Sequence, residues 1–160
     1  MKENKTNSDK HKLLRYLKSH DLMVIATQGD RPTAAAVYYG IDDDFNFYII
    51  TPPATEHGKN ILNNHKIACA IVDTHQPQFN TQYKIGVQVH GTTQQITEVK
   101  EMEKALQIWS KGRKDMVNTF MEHITRNSWT SRPFIIKPSE IKWFNEELYG
   151  EEGIEVFKFS

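Results

Sequence analysis

Leu22-Met-Val-Ile-Ala-Thr27, then Gln28-Gly-Asp-Arg31, then Ala34-Ala-Ala-Val-Tyr-Tyr39 is the stretch on which the reading of the fold turns. Two short apolar runs flank a Gly/Asp turn, the pattern of a β-hairpin. Asp42-Asp-Asp44 supplies another turn and Phe45-Asn-Phe-Tyr-Ile-Ile-Thr51 a third run, so the hairpin grows into an antiparallel meander. Ile67-Ala-Cys-Ala-Ile-Val-Asp73 is a fourth run. Between the third and fourth lies Pro52–Asn64, which has a short helical pattern and carries Thr55, His57 and Lys59. A helix that leaves a strand end directly presents unbonded N–H groups and the positive end of its dipole, an arrangement suited to an anion.

Outside this stretch, Met1–Asn7 reads as disordered. Ser8 or Asp9 reads as the cap of a helix to about His20, with Leu13, Leu14 and Leu17 on one face. Thr74–Asn80 is polar and reads as a loop. Gln82–Thr97 alternates Ile85, Val87 and Val89 with Lys84, Gln88 and His90, the period of a half-buried strand, with Gly91 as a bulge or bend. Glu98–Lys111 and Lys114–Arg126 change to helical period, broken at Gly112. Ser128–Arg132 is a loop and Phe134–Asn145 a further strand, in which Pro138 calls for an edge or a bend. The tail Tyr149–Ser160 alternates weakly and predicts a terminal strand, placed across a dimer. No internal repeat or linker interrupts residues 1–160, which read as one domain.

At these residues the chain resembles the pyridoxamine 5′-phosphate oxidase-like superfamily of FMN-binding split barrels. The resemblance rests on the turn Gly29-Asp-Arg-Pro32, the small-residue strand Ala34–Tyr39, the strand end Ile50-Thr51 and the helix Thr55-Glu-His-Gly-Lys-Asn-Ile61. It extends through Lys84-Ile-Gly-Val-Gln-Val-His-Gly91 and the closing run Phe134–Asn145, which ends in Trp-Phe-Asn. It implies a mainly β fold, a six-stranded antiparallel Greek-key split barrel with peripheral helices. It also implies a homodimer that holds FMN at its interface and oxidises or reduces a small molecule. The FMN contacts it implies are Ala35, Ala36, Val37, Tyr38, Ile50, Thr51, Thr55, His57, Gly58, Lys59, Gln88 and Arg132. Thr51 would donate to the phosphate or ring, and Thr55 would cap the helix under the phosphate. Small side chains on Ala34–Val37 would let the backbone approach the ring, and Arg132 would add a charge.

The sequence departs from the family where a phosphate would be held. The family's Arg-Lys pair aligns with Glu56-His57, its Arg on the second strand with Ala35, and a further Lys with Gly40. Relatives that oxidise pyridoxamine phosphate carry an Arg-x-His pair near the C-terminus, and none follows Phe134 here. Two other readings stand beside the enzyme: a non-catalytic module that binds or senses flavin or haem, with His57, His75, His90 or His123 as axial ligand, and a cofactor-free dimeric barrel.

Lys plus Arg equals Asp plus Glu at 20 each, so the formal charge is zero. That excludes a broadly basic surface for nucleic acid or anionic membrane. One cysteine, Cys69, excludes an intrachain disulfide. With no apolar leader in Met1–Lys12 and no apolar run of spanning length, the expectation is a cytoplasmic protein. The seven histidines show no metal-binding spacing, and no residue reads as a catalytic acid or base. Trp109, Met116 and Phe120 read as a core stripe.

Overall fold

A computed structural model describes residues 2–73, 84–151 and 153–160. Helix α1 (Lys2–Lys18) precedes strands β1 (Leu22–Gln28), β2 (Pro32–Ile41) and β3 (Phe47–Thr51), then α2 (Glu56–Asn63) and β4 (Lys66–Val72). Strand β5 (Ile85–Gln95) leads to α3 (Val99–Trp109) and α4 (Lys114–Thr125). Strand β6 (Arg132–Asn145), the single turn α5 (Glu146–Tyr149) and β7 (Ile154–Lys158) complete the chain.

The sheet runs β3-β2-β1-β4-β5-β6-β7, and a further β3–β6 pairing closes the first six strands into a barrel. Every pairing is antiparallel. β4 returns to lie beside β1 after the β1–β3 meander, which is the Greek-key arrangement. The expected six-stranded split barrel is therefore present, with β7 added to it.

Alternation builds the core. Met23 and Ile25, Val37 and Tyr39, Phe47 and Ile49, Ile67, Cys69 and Ile71, Val87 and Val89 all point inward and are buried. Leu13 and Leu17 of α1 join them, and the Tyr39 hydroxyl donates to Leu17 O at 2.6 Å. Each such side chain contributes roughly 1.5–3 kcal/mol of burial. α3 packs a second, smaller cluster, in which Ala105 lies with Tyr48 and Ile96.

Four details differ from the sequence reading. α1 begins at Lys2, so it takes in the segment read as disordered, and Asp9 is a buried residue inside it rather than its cap. Asp9 is paired with Lys12 one turn on, at 3.3 Å. β7 pairs with β6 of its own chain, Phe157 opposite Ile141, rather than across a dimer. Trp109, Met116 and Phe120 lie outside the barrel core, half-buried, with Phe120 stacked on Trp129 at 4.5 Å. The strand read as starting at Gln82 is seen from Ile85, and Gln82 lies outside the described residues.

Pro138 shows how the barrel splits. Along one edge of β6, β3 pairs with Arg132–Ile136 and β7 with Glu140–Phe144. Pro138 falls between the two, where no neighbour needs its missing N–H. On the other edge Gly91 faces Pro138 and His90 faces Glu140, so Ser139 is the extra residue of a bulge.

Candidate functional site

β3 pairs with β2 only at Tyr39, Gly40 and Ile41. The β2 edge from Thr33 to Tyr38 therefore has no strand beside it among the described residues. Tyr39 N–H donates to Asp21 O on the β1 side at 2.9 Å, and Tyr38 O accepts from Trp109 Nε1 at 3.1 Å on the other. Hydrogen-bonding direction alternates along a strand, so the main-chain groups of Ala34, Ala36 and Tyr38 face the open edge. Those of Ala35 and Val37 face β1, and their side chains turn into the barrel, Val37 buried and Ala35 partly so.

The outward face beside this edge is flat and apolar. Pairing sets Ala36 beside Val24 and Ala70, and Ala34 beside Ala26 and Ala68. Leu22, Val24, Tyr38 and Val72 on this face are 42–65% exposed. Gln88 continues the row as the partner of Ala70. It stands three strands from Ala36, about 14 Å across the sheet. Within one chain it is apart from the open edge.

At the foot of the edge, β3 ends and α2 begins. Thr51 Oγ1 lies 2.6 Å from His57 Nε2, and Thr55 Oγ1 lies 3.1 Å from the same nitrogen. Thr55 caps α2: its hydroxyl donates to Pro52 O at 2.8 Å and accepts from Gly58 N at 3.1 Å. With that proton committed, Thr55 can only accept from His57, which assigns the ring proton to Nε2. The Thr51 hydroxyl proton is then left uncommitted.

Gly58 is buried, and a Cβ there would overlap Pro52 O, so glycine lets the first turn of α2 sit on Pro52-Pro53. Its amide serves the cap. The amides of Glu56 and His57 have no acceptor among the described residues, as first-turn helix amides do not. Burial holds the His57 imidazole below its usual value against the opposing charge of Glu56, so the ring is neutral at pH 7. Lys59 is exposed one turn above Thr55, with no ion-pair partner among the described residues.

Ile50 faces away from Thr51 and lies opposite Pro133. Arg132 is the cross-strand partner of Thr51. Its guanidinium donates to Trp129 O at 2.5 Å, Ser131 O at 2.9 Å and Asn127 Oδ1 at 2.8 Å. All three acceptors are neutral, so its charge is held in place without being neutralised.

Sequence reasoning missed two residues here. Arg31 donates from Nε to Glu56 Oε1 at 2.9 Å and from Nη2 to Oε2 at 3.2 Å. The hydrogen bonds and charge of Arg31 hold the Glu56 carboxyl below its usual value. Asn60 is buried, donates to Thr27 Oγ1 at 3.2 Å and packs on Gly29, which fixes α2 to the end of β1. Arg31 stood in the turn quoted first, but nothing in the sequence linked it to a residue 25 positions on.

The remaining candidates lie elsewhere. His90 is exposed on the outward face, His123 bonds Ser128 on α4, and His75 falls outside the described residues. No group of three metal-ligating side chains occurs among the described residues. Burial pushes the Cys69 thiol up to about 12, the state of an unreactive core cysteine. No helix among the described residues is long and apolar enough to cross a membrane.

Barrel, open strand edge and helix-capped foot together define a split-barrel protein. The chain belongs to the pyridoxamine 5′-phosphate oxidase family, whose model matches residues 9–131. No curated protein matches it by sequence. Among solved structures, a conserved hypothetical protein of Mycobacterium tuberculosis superposes with a TM-score of 0.70 at 14% identity, over 88% of this chain and 87% of the other. A NimC/NimA family protein of Clostridium acetobutylicum gives 0.63 at 15% identity, over 94% and 92%. A haem-binding protein of Mycobacterium smegmatis gives 0.65 at 15% identity, over 88% of this chain. The chain covers only 53% of that protein's length.

Proposed function

We propose that the chain binds FMN along the open edge of β2, in one of two equivalent clefts of a homodimer, and acts as an oxidoreductase on a small molecule. One observation carries the reading: a cluster of anion donors stands at the foot of an unpaired strand edge, beside a platform of alanines. The donors suit a phosphate in kind. They are the Glu56 and His57 amides, the Thr51 hydroxyl and the Lys59 ammonium, with the charge of Arg132 across from Thr51. The Ala36 main chain and the Tyr38 N–H would meet the ring, the Tyr38 carbonyl being held by Trp109, and Gly58 and Thr55 would hold the helix end in position. The bound flavin supplies the electron chemistry, so the chain needs only to bind and orient it.

The dimer follows from the same face. A contiguous apolar sheet surface of this kind marks an interaction site, and a two-fold contact would cover both copies with one patch. Gln88, remote from the edge of its own chain, would reach a cleft only across such a contact.

Titration of the purified protein with FMN and with riboflavin tests the reading, with sedimentation in parallel. FMN should bind more tightly than riboflavin, and the particle should weigh twice the 18.6 kDa chain. Lys59→Glu should weaken FMN by about 1 kcal/mol after solvent screening and leave riboflavin unchanged. Equal loss for both ligands would place the phosphate elsewhere. A Soret band in the purified protein, or a monomer without affinity for flavin, would overturn the proposal.

A further inference from the structure

The open edge of β2 has a second end. From Pro32 to Tyr38 the strand runs about 20 Å, away from the anion cluster and toward the turn between α3 and α4. There a groove of ≈ 660 Å³ lies between β2 and that turn, within the usual range for small-molecule pockets. Tyr38, Trp109 and Met116 line it together with Asp21, Lys111 and Arg113.

We infer that this groove binds a flat aromatic anion, a mono-ring or two-ring carboxylate or its equivalent. Where the flavin reading holds, the same groove receives the substrate.

Shape and polarity both point there. Tyr38 is 65% exposed within the single chain, so its own fold leaves most of the ring unpacked. Trp109 is anchored by two contacts, its Nε1 on Tyr38 O and its ring edge-on to Phe120 at 5.5 Å. With its only polar atom committed, the indole offers the groove a π surface and no donor. Such rings select planar ligands, and Met116 adds a polarisable contact.

Charge then selects the sign. Lys111 pairs with Asp21 and also donates to Lys18 O, so those two charges cancel. Arg113 has no ion-pair partner among the described residues. It stands at the N-terminus of α4 with no side-chain hydrogen bond among the described residues, so its guanidinium is available for a bidentate carboxylate contact. The first turn of α4 lines the same wall through Met116, so its dipole adds to the preference for an anion.

The test uses 2-naphthoate and the neutral 2-naphthamide as probes. Binding is followed by amide chemical shifts and titration calorimetry on the full chain, without and with FMN. Naphthoate should shift the amides of Ser110–Met116 and bind more tightly than naphthamide. Arg113→Gln should weaken naphthoate about tenfold, the scale of one charge-assisted hydrogen bond, and leave naphthamide unchanged. Tyr38→Ala should weaken both probes. Equal binding of the two probes, or shifts confined to Thr55–Lys59, would overturn the assignment. The FMN-free arm separates this inference from the flavin reading. A protein that takes naphthoate at this groove but never FMN keeps the groove and loses the flavin. One that takes FMN but never naphthoate loses the groove alone.

Discussion

Replacing Gly40 by lysine is expected to destabilise the fold by about 3 kcal/mol or more, because it overpacks a filled contact and buries a charge there. By the resemblance drawn from the sequence, a lysine of the family aligns here, so the substitution would bring in a family residue and should still harm this chain. A Cβ on residue 40 would overlap Ile108 O and crowd the backbone of Trp109. The C-terminal turn of α3 thus lies directly on the backbone of β2. Gly40 does not sit in the left-handed region, so the loss would be steric rather than conformational. Gly40→Ala isolates the clash without the charge and should cost about 1–3 kcal/mol. Urea unfolding of the three proteins measures both, and tryptophan emission should report the release of Trp109 from Tyr38 O. A Gly40→Lys protein with an unchanged urea midpoint would mean that α3 does not rest on β2.

Gly40 also shows what the sequence made legible. The hairpin of β1 and β2, the strand β4 and the helix after Thr51 were readable because local period and turn chemistry fix them. The barrel that joins them was readable mainly through the family resemblance. The packing of α3 onto β2 was not, since nothing local says that a glycine at position 40 serves a helix some 70 residues later. The open edge was equally hidden. Four residues, Ala35 to Tyr38, read as equivalent flavin contacts, yet the strand turns only Ala36 and Tyr38 to the edge. Period-2 alternation was visible, but the side on which β3 would leave β2 was not. Trp109 fits a helical apolar stripe by spacing, and its indole N–H was the sole hint that it needed a partner beyond one. β7 pairs within its own chain because β3 leaves the second half of β6 uncovered, a vacancy that only the assembled barrel defines.

Relieving Glu56 is expected to tighten FMN, and the Arg31 pair decides how. By the sequence resemblance Glu56 aligns with a cation of the family, and at the first turn of α2 its carboxylate would oppose a bound phosphate. The structure shows that this carboxylate is not alone: both its oxygens are taken by Arg31. The two charges cancel at the foot of the open edge, so the Arg31 cation is held there without being offered to a ligand. Glu56→Gln should release the Arg31 guanidinium toward the ligand and improve FMN binding about threefold. Glu56→Arg should do more, about tenfold, since it frees Arg31 and adds a second planar donor suited to phosphate. Part of that gain is offset by the loss of an acidic residue from the first turn of α2, where it favours the helix dipole. Arg31→Gln leaves Glu56 unopposed and should weaken FMN. Both residues are exposed, so every effect should shrink between low salt and physiological ionic strength, where screening acts over about 8 Å. Calorimetric titration at the two salt concentrations measures this series, with riboflavin as the phosphate-free control. The ordering Arg31→Gln, wild type, Glu56→Gln, Glu56→Arg in rising FMN affinity, absent for riboflavin, is the expected result. An order that ignores residue 56, or one that riboflavin shares, would place the phosphate away from α2.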